Sequence, residues 1–193
     1  MTLSALGIFS AAGAGGGAAS SYELIQTYIL TGNQSSVVFS SLGSFSSTYK
    51  HLQIRAVGRS SGGIIGSQEG DAVLIRLNGD SGSNYAQHVV SGNGSSVNSG
   101  GASSQTAMVA QRFTDSTGTA NAFGAFIADF IEPFSATKNK TMRTMGGQTN
   151  QITLIAMNSG LWMNTSSLTS ITLTPNVGAN FNAGSRFSLY GIR

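Results

Sequence analysis

Short segments that alternate apolar and polar side chains constrain this fold more than any other feature of the sequence. In the segment 49–57, Leu52 and Ile54 face one way and the residues between them face the other. A period of two residues is typical of a strand with one face buried. A second such segment ends at Asn78 and Gly79, a pair that tolerates the positive φ of a tight hairpin turn.

Segments of this kind recur along residues 22–193, about eleven in all, at the spacing expected of a sandwich or barrel. No window has a helical period, and the two prolines, Pro133 and Pro175, fall where strands would end. We therefore predict an all-β domain over 22–193, an antiparallel β-sandwich of jelly-roll type, preceded by an extended N-terminal arm over 1–21. Three stretches of low complexity are predicted to be loops: 60–70, 91–104 and 115–121.

The composition suits a protein that is built from strands and makes extensive contacts with its neighbours. Only 9% of its residues are charged, against roughly 25% in an ordinary domain, and 26 are glycine. The net charge is +3, but the basic residues are scattered except for Lys138, Lys140 and Arg143, which we interpret as a solvated hairpin end. We therefore expect no nucleic-acid partner. The absence of cysteine excludes disulfides and thiolate metal sites.

The opening segment, "LSALGIFSAAGAGGGAASS", is uncharged and carries four large apolar side chains: Leu3, Leu6, Ile8 and Phe9. It lacks the positive start of a secretory signal peptide, and its apolar part is too short to cross a bilayer. We predict that it docks into a partner, where burial at about 25 cal/mol per Å² makes its four large side chains worth several kcal/mol. Its glycine and alanine tract would let three backbones approach on an axis, so we expect a homotrimer.

Two pairs of acids are candidates for a glycosidase site: Glu69 with Asp71, and Asp129 with Glu132. Such an enzyme needs two carboxylates across a cleft, one of them with a raised pKa. We interpret both pairs as solvated turn residues, because each lies beside a loop or a strand end. We therefore predict that the chain has no catalytic site and is not an enzyme.

Metal sites receive equally little support from the sequence. His51 and His88 lie on the outward faces of predicted strands and show neither HxH nor HExxH spacing. The segment 78–84, "NGDSGSN", weakly resembles a calcium loop, but it lacks the closing acid of an EF-hand, and a hairpin turn accounts for it. We predict neither a metal nor a cofactor.

Three aromatic residues are candidates for a receptor or interface contact: Tyr85, Trp162 and Tyr190. An exposed ring can stack on a sugar, and aromatic rings are also frequent where subunits meet. For Trp162, burial in the core or between subunits is the competing interpretation.

Several segments resemble, in order, parts of small virion structural proteins of tailed bacteriophages, particularly those of aquatic or cyanobacterial hosts. They are "LSALGIFSAAGAGG", "YELIQTYIL", "YKHLQIRAVGRS", "IRLNGDSGSNY", "SGNGSSV", "ANAFGA" and "SRFSLYGIR", which together extend through nearly the whole chain. Members of that group are described as virion, decoration or tail-fibre proteins. The resemblance thus implies a location in the virion and no catalytic motif.

Two functions are consistent with this resemblance. The first is a non-enzymatic capsid decoration (cement) protein, anchored to other virion proteins by its N-terminal arm. The alternative is a tail-fibre or baseplate tip protein that binds a host surface glycan, with the stretches 60–70 and 91–104 touching the receptor. Neither function calls for nucleic acid or a membrane.

Overall fold

The computed structural model describes residues 20–63, 70–149, 153–177 and 180–193. These residues form twelve strands and one 3₁₀ turn, Leu42–Phe45, and they contain no α-helix. The strands are β1 (Tyr22–Ile29), β2 (Val37–Phe39), β3 (His51–Gly58), β4 (Asp71–Leu77), β5 (Tyr85–Gly92), β6 (Val97–Gln105), β7 (Met108–Phe113), β8 (Gly124–Ile131), β9 (Lys140–Thr149), β10 (Thr153–Trp162), β11 (Ile171–Pro175) and β12 (Arg186–Ile192).

The strands form two antiparallel sheets of unequal width. The large sheet has eight strands in the order β1-β12-β3-β8-β9-β10-β5-β6, and the small sheet has four in the order β2-β11-β4-β7. From β2 to β5, successive strands alternate between the two sheets, as the chain crosses back and forth over the core. The predicted antiparallel β-sandwich is confirmed, whereas its jelly-roll connectivity is a finer assignment and stays a prediction.

The core lies between the sheets and contains the inward row of each strand. On β3, Leu52, Ile54 and Ala56 are buried as their spacing predicts. Phe113 of the small sheet crosses the gap, with its ring centroid 5.5–6.0 Å from three other phenylalanine rings: Phe126, Phe181 and Phe187. This aromatic cluster joins the two sheets.

Polar side chains of the large sheet close the outer edge of β7, where no further strand follows. The amide of Val109 donates to Gln87 Oε1 (2.7 Å), and the carbonyl of Ala110 accepts from Asn158 Nδ2 (2.9 Å) and from the Thr144 hydroxyl. Thr144 and Asn158 are buried, so their hydrogen bonds satisfy a backbone carbonyl that water cannot reach.

The prediction that residues 91–104 form a loop is wrong over most of that length. The chain turns after Gly92 and returns as β6, which pairs with β5 from Val97↔Gly92 to Gln105↔Tyr85. Strand β6 ends the large sheet and is almost wholly exposed on both faces. No apolar alternation is needed there, because neither face packs on the core.

The predicted turn at Asn78 and Gly79 is confirmed, since both residues have positive φ, 53° and 70°. The residue that follows, Asp80, accepts hydrogen bonds from the Trp162 indole (2.7 Å) and from Asn84 (2.9 Å). The Trp162 bond is the main cause that lowers the pKa of the Asp80 carboxyl. The carboxylate of this segment thus ties a hairpin to β10.

Candidate functional site

The outer face of the large sheet has no second layer among the described residues, and it brings together side chains that are distant in sequence. The pairing register places one residue from each of six adjacent strands in a single row across this face. In strand order they are Ser188, Arg55, Ile127, Met145, Met157 and Val90. One end of the row is polar and the other apolar, so the face divides into two regions.

The apolar region, hereafter the apolar patch, consists of five large side chains on β5, β6, β9 and β10. They are exposed by 46% to 78%: Val90 (46%), Met145 (52%), Met157 (57%), Ile155 (62%) and Val97 (78%). Met157 lies directly between Met145 and Val90, while Ile155 and Val97 flank Gly92. The patch is therefore continuous, and none of its members carries a charge.

The second region, hereafter the Arg–Tyr groove, is a shallow groove of about 490 Å³ over β12, β3 and β8. Its walls include Arg55, Arg186 and Tyr190, and its floor includes Val57 and Ile127. Met145 forms the border that it shares with the apolar patch. The groove thus combines two cations, an aromatic ring and an apolar floor.

Arg55 is held in place by its neighbours on the sheet. Its guanidinium carbon lies 5.1 Å from the centre of the Tyr22 ring and 5.2 Å from that of Tyr190, and these two rings stack at 4.9 Å. Its Nε donates to Gln53 Oε1 (3.0 Å), which also accepts from the Tyr22 hydroxyl. Burial raises the pKa of Tyr22, which keeps that hydroxyl a donor.

The remaining donors of the groove have no protein partner in the part of the chain that the structure describes. The guanidinium of Arg186 and the Tyr190 hydroxyl make no hydrogen bond or ion pair there, and Arg55 is bonded to Gln53 and Tyr22 but to no carboxylate. Asp129, on the neighbouring strand β8, accepts from Gln53 Nε2 (2.7 Å) instead. These donors are available to a ligand.

The structure separates the three aromatic candidates. Tyr85 and Trp162 are 0% and 1% exposed and stack at 6.3 Å within the core. The expectation of a receptor or interface contact is corrected for these two, because rings enclosed by both sheets present no surface to a partner. Tyr190 is half-buried and lines the Arg–Tyr groove, so it stays a candidate. The docking candidates Leu3, Leu6, Ile8 and Phe9 lie outside the described residues.

Of the acids considered for catalysis, the three that the structure describes, Asp71, Asp129 and Glu132, each have their own partners. Glu132 pairs with Lys138 at the surface, and Glu69 lies outside the described residues. Asp71 is buried rather than solvated: it accepts from the Ser60 hydroxyl (2.6 Å) and from the amides of Asn176 and Val177. Burial raises the pKa of its carboxyl. Asp71 therefore anchors two loops, a role that its sequence context gave no reason to expect.

Metal-ligating groups are dispersed within the described ranges. There, no three histidine or acidic side chains are close enough to hold an ion. His51 accepts from the Glu132 amide through Nδ1 (3.1 Å), and His88 is exposed on β5.

The prediction that Lys138, Lys140 and Arg143 form a solvated hairpin end is wrong for Lys140, because its side chain is only 1% exposed.

The groove residues that the sequence did not single out are Arg55 and Arg186. Each is a charged residue on the outward face of a strand whose apolar and polar residues alternate. Any solvent-exposed strand face shows the same pattern, so the pattern does not identify a binding site. Their meeting depends on the pairing of β3 with β12, in which Arg55 lies opposite Ser188 and Val57 opposite Arg186. More than a hundred residues separate these strands in the chain, and no local pattern encodes the pairing.

In the described segments, no helix is long and apolar enough to cross a membrane. Comparisons of the chain with protein families, with curated proteins and with solved structures find no match.

Proposed function

We propose that this chain is a non-enzymatic structural protein of a bacteriophage particle, most simply a capsid decoration protein. The observation that supports the proposal best is the apolar patch. Contiguous apolar surface of this kind, on an otherwise polar protein, is typical of a surface that packs against another protein. The resemblance of the sequence to phage virion proteins supplies the setting.

We further propose that the occupant of the apolar patch is a second copy of this chain, within a homotrimer. Its five side chains are uncharged, so identical patches approach one another without repulsion between like charges. The side chains are 46% to 78% exposed, and covering all five would contribute on the order of 5 kcal/mol. Closed cyclic symmetry would then bury the same patch on every copy.

The N-terminal arm would provide the attachment to the shell. The described chain begins beside β1, an edge strand of the large sheet, so residues 1–19 connect to the rim of the fold rather than to its centre. At that position, a segment with four large apolar side chains can reach a neighbouring protein without disturbing the core.

Replacing Met157 by aspartate tests the packing role. We expect the wild-type protein to have the mass of a trimer in light scattering and native mass spectrometry. Met157→Asp should give a folded monomer, because each copy would bury a carboxylate at the interface centre. Val38, 40% exposed on the small sheet, gives the matched control: Val38→Asp should remain trimeric. A monomeric wild-type protein, or a trimeric Met157→Asp, would contradict the packing proposal.

Removing residues 1–19 tests the attachment. We expect the truncated protein to keep the strand-rich circular dichroism spectrum of the full chain and to lose its association with particles. A decoration protein repeats over the shell, whereas a tail tip is confined to one end. Copy number relative to the major shell protein therefore separates the two locations. Undiminished incorporation of the truncated chain would count against the arm.

The Arg–Tyr groove favours a second candidate, the tail-fibre or baseplate tip protein that binds a host surface glycan. The groove is open along the sheet, as a chain-like ligand requires, and the half-buried ring of Tyr190 lies in its wall. A sugar offers an apolar ring face to such a floor and hydroxyl groups to the walls.

A further inference from the structure

We propose that the Arg–Tyr groove binds an acidic oligosaccharide, whose carboxylate pairs with Arg55 and Arg186 and whose sugar ring lies against Tyr190 and the apolar floor. The inference deepens the glycan-binding candidate and rests on it. It does not depend on the assembly role of the apolar patch or on the N-terminal arm.

The charge of the groove points to an anion. Arg55 and Arg186 line the same groove, and within the described ranges neither is paired with a carboxylate. The nearest acid, on β8, already accepts from Gln53. A guanidinium presents a planar fork of donors that matches a carboxylate, so two of them on one groove favour a ligand with that group.

The groove is organised before any ligand arrives. The Tyr22–Tyr190 pair and the side-chain oxygen of Gln53 hold the Arg55 guanidinium in place, and no carboxylate in the described ranges pairs with it. A side chain that is already ordered loses little conformational entropy on binding. This distinguishes Arg55 from Arg143, which lies on the same face, on β9, outside the groove.

The floor of the groove points to an organic anion rather than an inorganic one. Val57, Ala125 and Ile127 offer apolar surface beside the cations, and a sulfate or phosphate ion would leave that surface uncovered. The volume of about 490 Å³ lies within the range of small-molecule sites. A uronic or sialic acid unit has a carboxylate, an apolar ring face and hydroxyl edges, and so meets all three features.

Calorimetric titration of the full-length protein tests the inference, with trigalacturonate and sialyllactose as acidic probes. The methyl ester of the first probe and lactose are the matched neutral ligands. We expect at least one acidic probe to bind and its neutral match to bind about tenfold or more weakly, since a bond to a charged group contributes about 1.5–3 kcal/mol. Inorganic sulfate at equal ionic strength should not displace the sugar.

Variants then locate the site. Arg55→Gln and Arg186→Gln should each weaken binding of the acidic probe by about tenfold or more, and Tyr190→Ala should weaken both acidic and neutral ligands. Arg143→Gln is the matched control and should bind as the wild type does. Thermal unfolding of each variant verifies that it is folded.

The outcomes separate this inference from the candidate on which it rests. Equal binding of acidic and neutral sugars, unchanged by either arginine substitution, would overturn the acidic specificity and leave glycan binding standing. Failure of all four sugars to bind would overturn both. If sulfate displaced the bound acidic probe as effectively as another sugar does, the groove would be a site for anions in general. That result would also overturn the inference.

Discussion

Phe113→Ala is expected to lose about 3–5 kcal/mol of the free energy of unfolding, the usual cost of removing a fully buried aromatic ring. The ring is 0% exposed and lies among Phe126 and Phe187 of the large sheet and Phe181, which follows β11. Gly58 makes room for it, since a Cβ there would lie 2.2 Å from the Phe113 ring.

Urea denaturation followed by circular dichroism measures this loss. Phe113→Leu should lose less than Phe113→Ala, because it refills part of the cavity. Phe134→Ala is the matched control. The Phe134 ring is only partly buried at the margin of the core, so its removal should lower the free energy of unfolding clearly less. If Phe113→Ala lost less than about 1 kcal/mol, the aromatic cluster would not be what joins the sheets.

Lys140→Met is expected to lose about 1.5–3 kcal/mol, the second largest effect, because it removes the hydrogen bonds that a buried, charged donor makes to three backbone carbonyls. The Lys140 ammonium donates to the carbonyls of Ser135 (2.8 Å), Lys138 (2.6 Å) and Thr165 (3.1 Å). It thereby ties the loop before β9 to the loop after β10. Methionine has a similar shape and no donor, so it removes these bonds and leaves the packing nearly intact.

Lys138→Met serves as the control two residues away. Lys138 pairs with Glu132 at the surface, where both side chains are about half exposed, and such a pair contributes about 0–1 kcal/mol. Denaturation of the two variants under the same conditions provides the comparison. Equal losses would mean that the buried ammonium is no more important than the surface pair.

The sequence predicted most strands because their inward residues must be apolar. The pattern of β3 located its buried row correctly, and the Asn78-Gly79 turn was placed by backbone chemistry alone. Strand β6 was missed for the converse reason: a strand exposed on both faces is under no such constraint, and "VNSGGASSQ" is indistinguishable from a loop.

The candidate site was less predictable, since it depends on register between distant strands. Tyr190 could be proposed as an aromatic contact from its type, whereas its meeting with Arg55 follows from the β12–β3 pairing. Trp162 and Tyr85 were misplaced because large aromatic residues suit cores and contacts equally well. The Asp80 carboxylate, which bonds the indole, satisfies the polar end of Trp162 and allows its burial.

The side chains that close β7 also determine where this protein can recruit a strand from elsewhere. With Val109 and Ala110 already bonded to Gln87, Thr144 and Asn158, that border of the small sheet offers no template for β-augmentation. At the far end of the large sheet, β6 carries neither charge nor proline, the usual deterrents to edge-to-edge joining. Of these two edges, β6 is therefore the one from which a strand donated by a neighbouring polypeptide could continue the eight-stranded sheet.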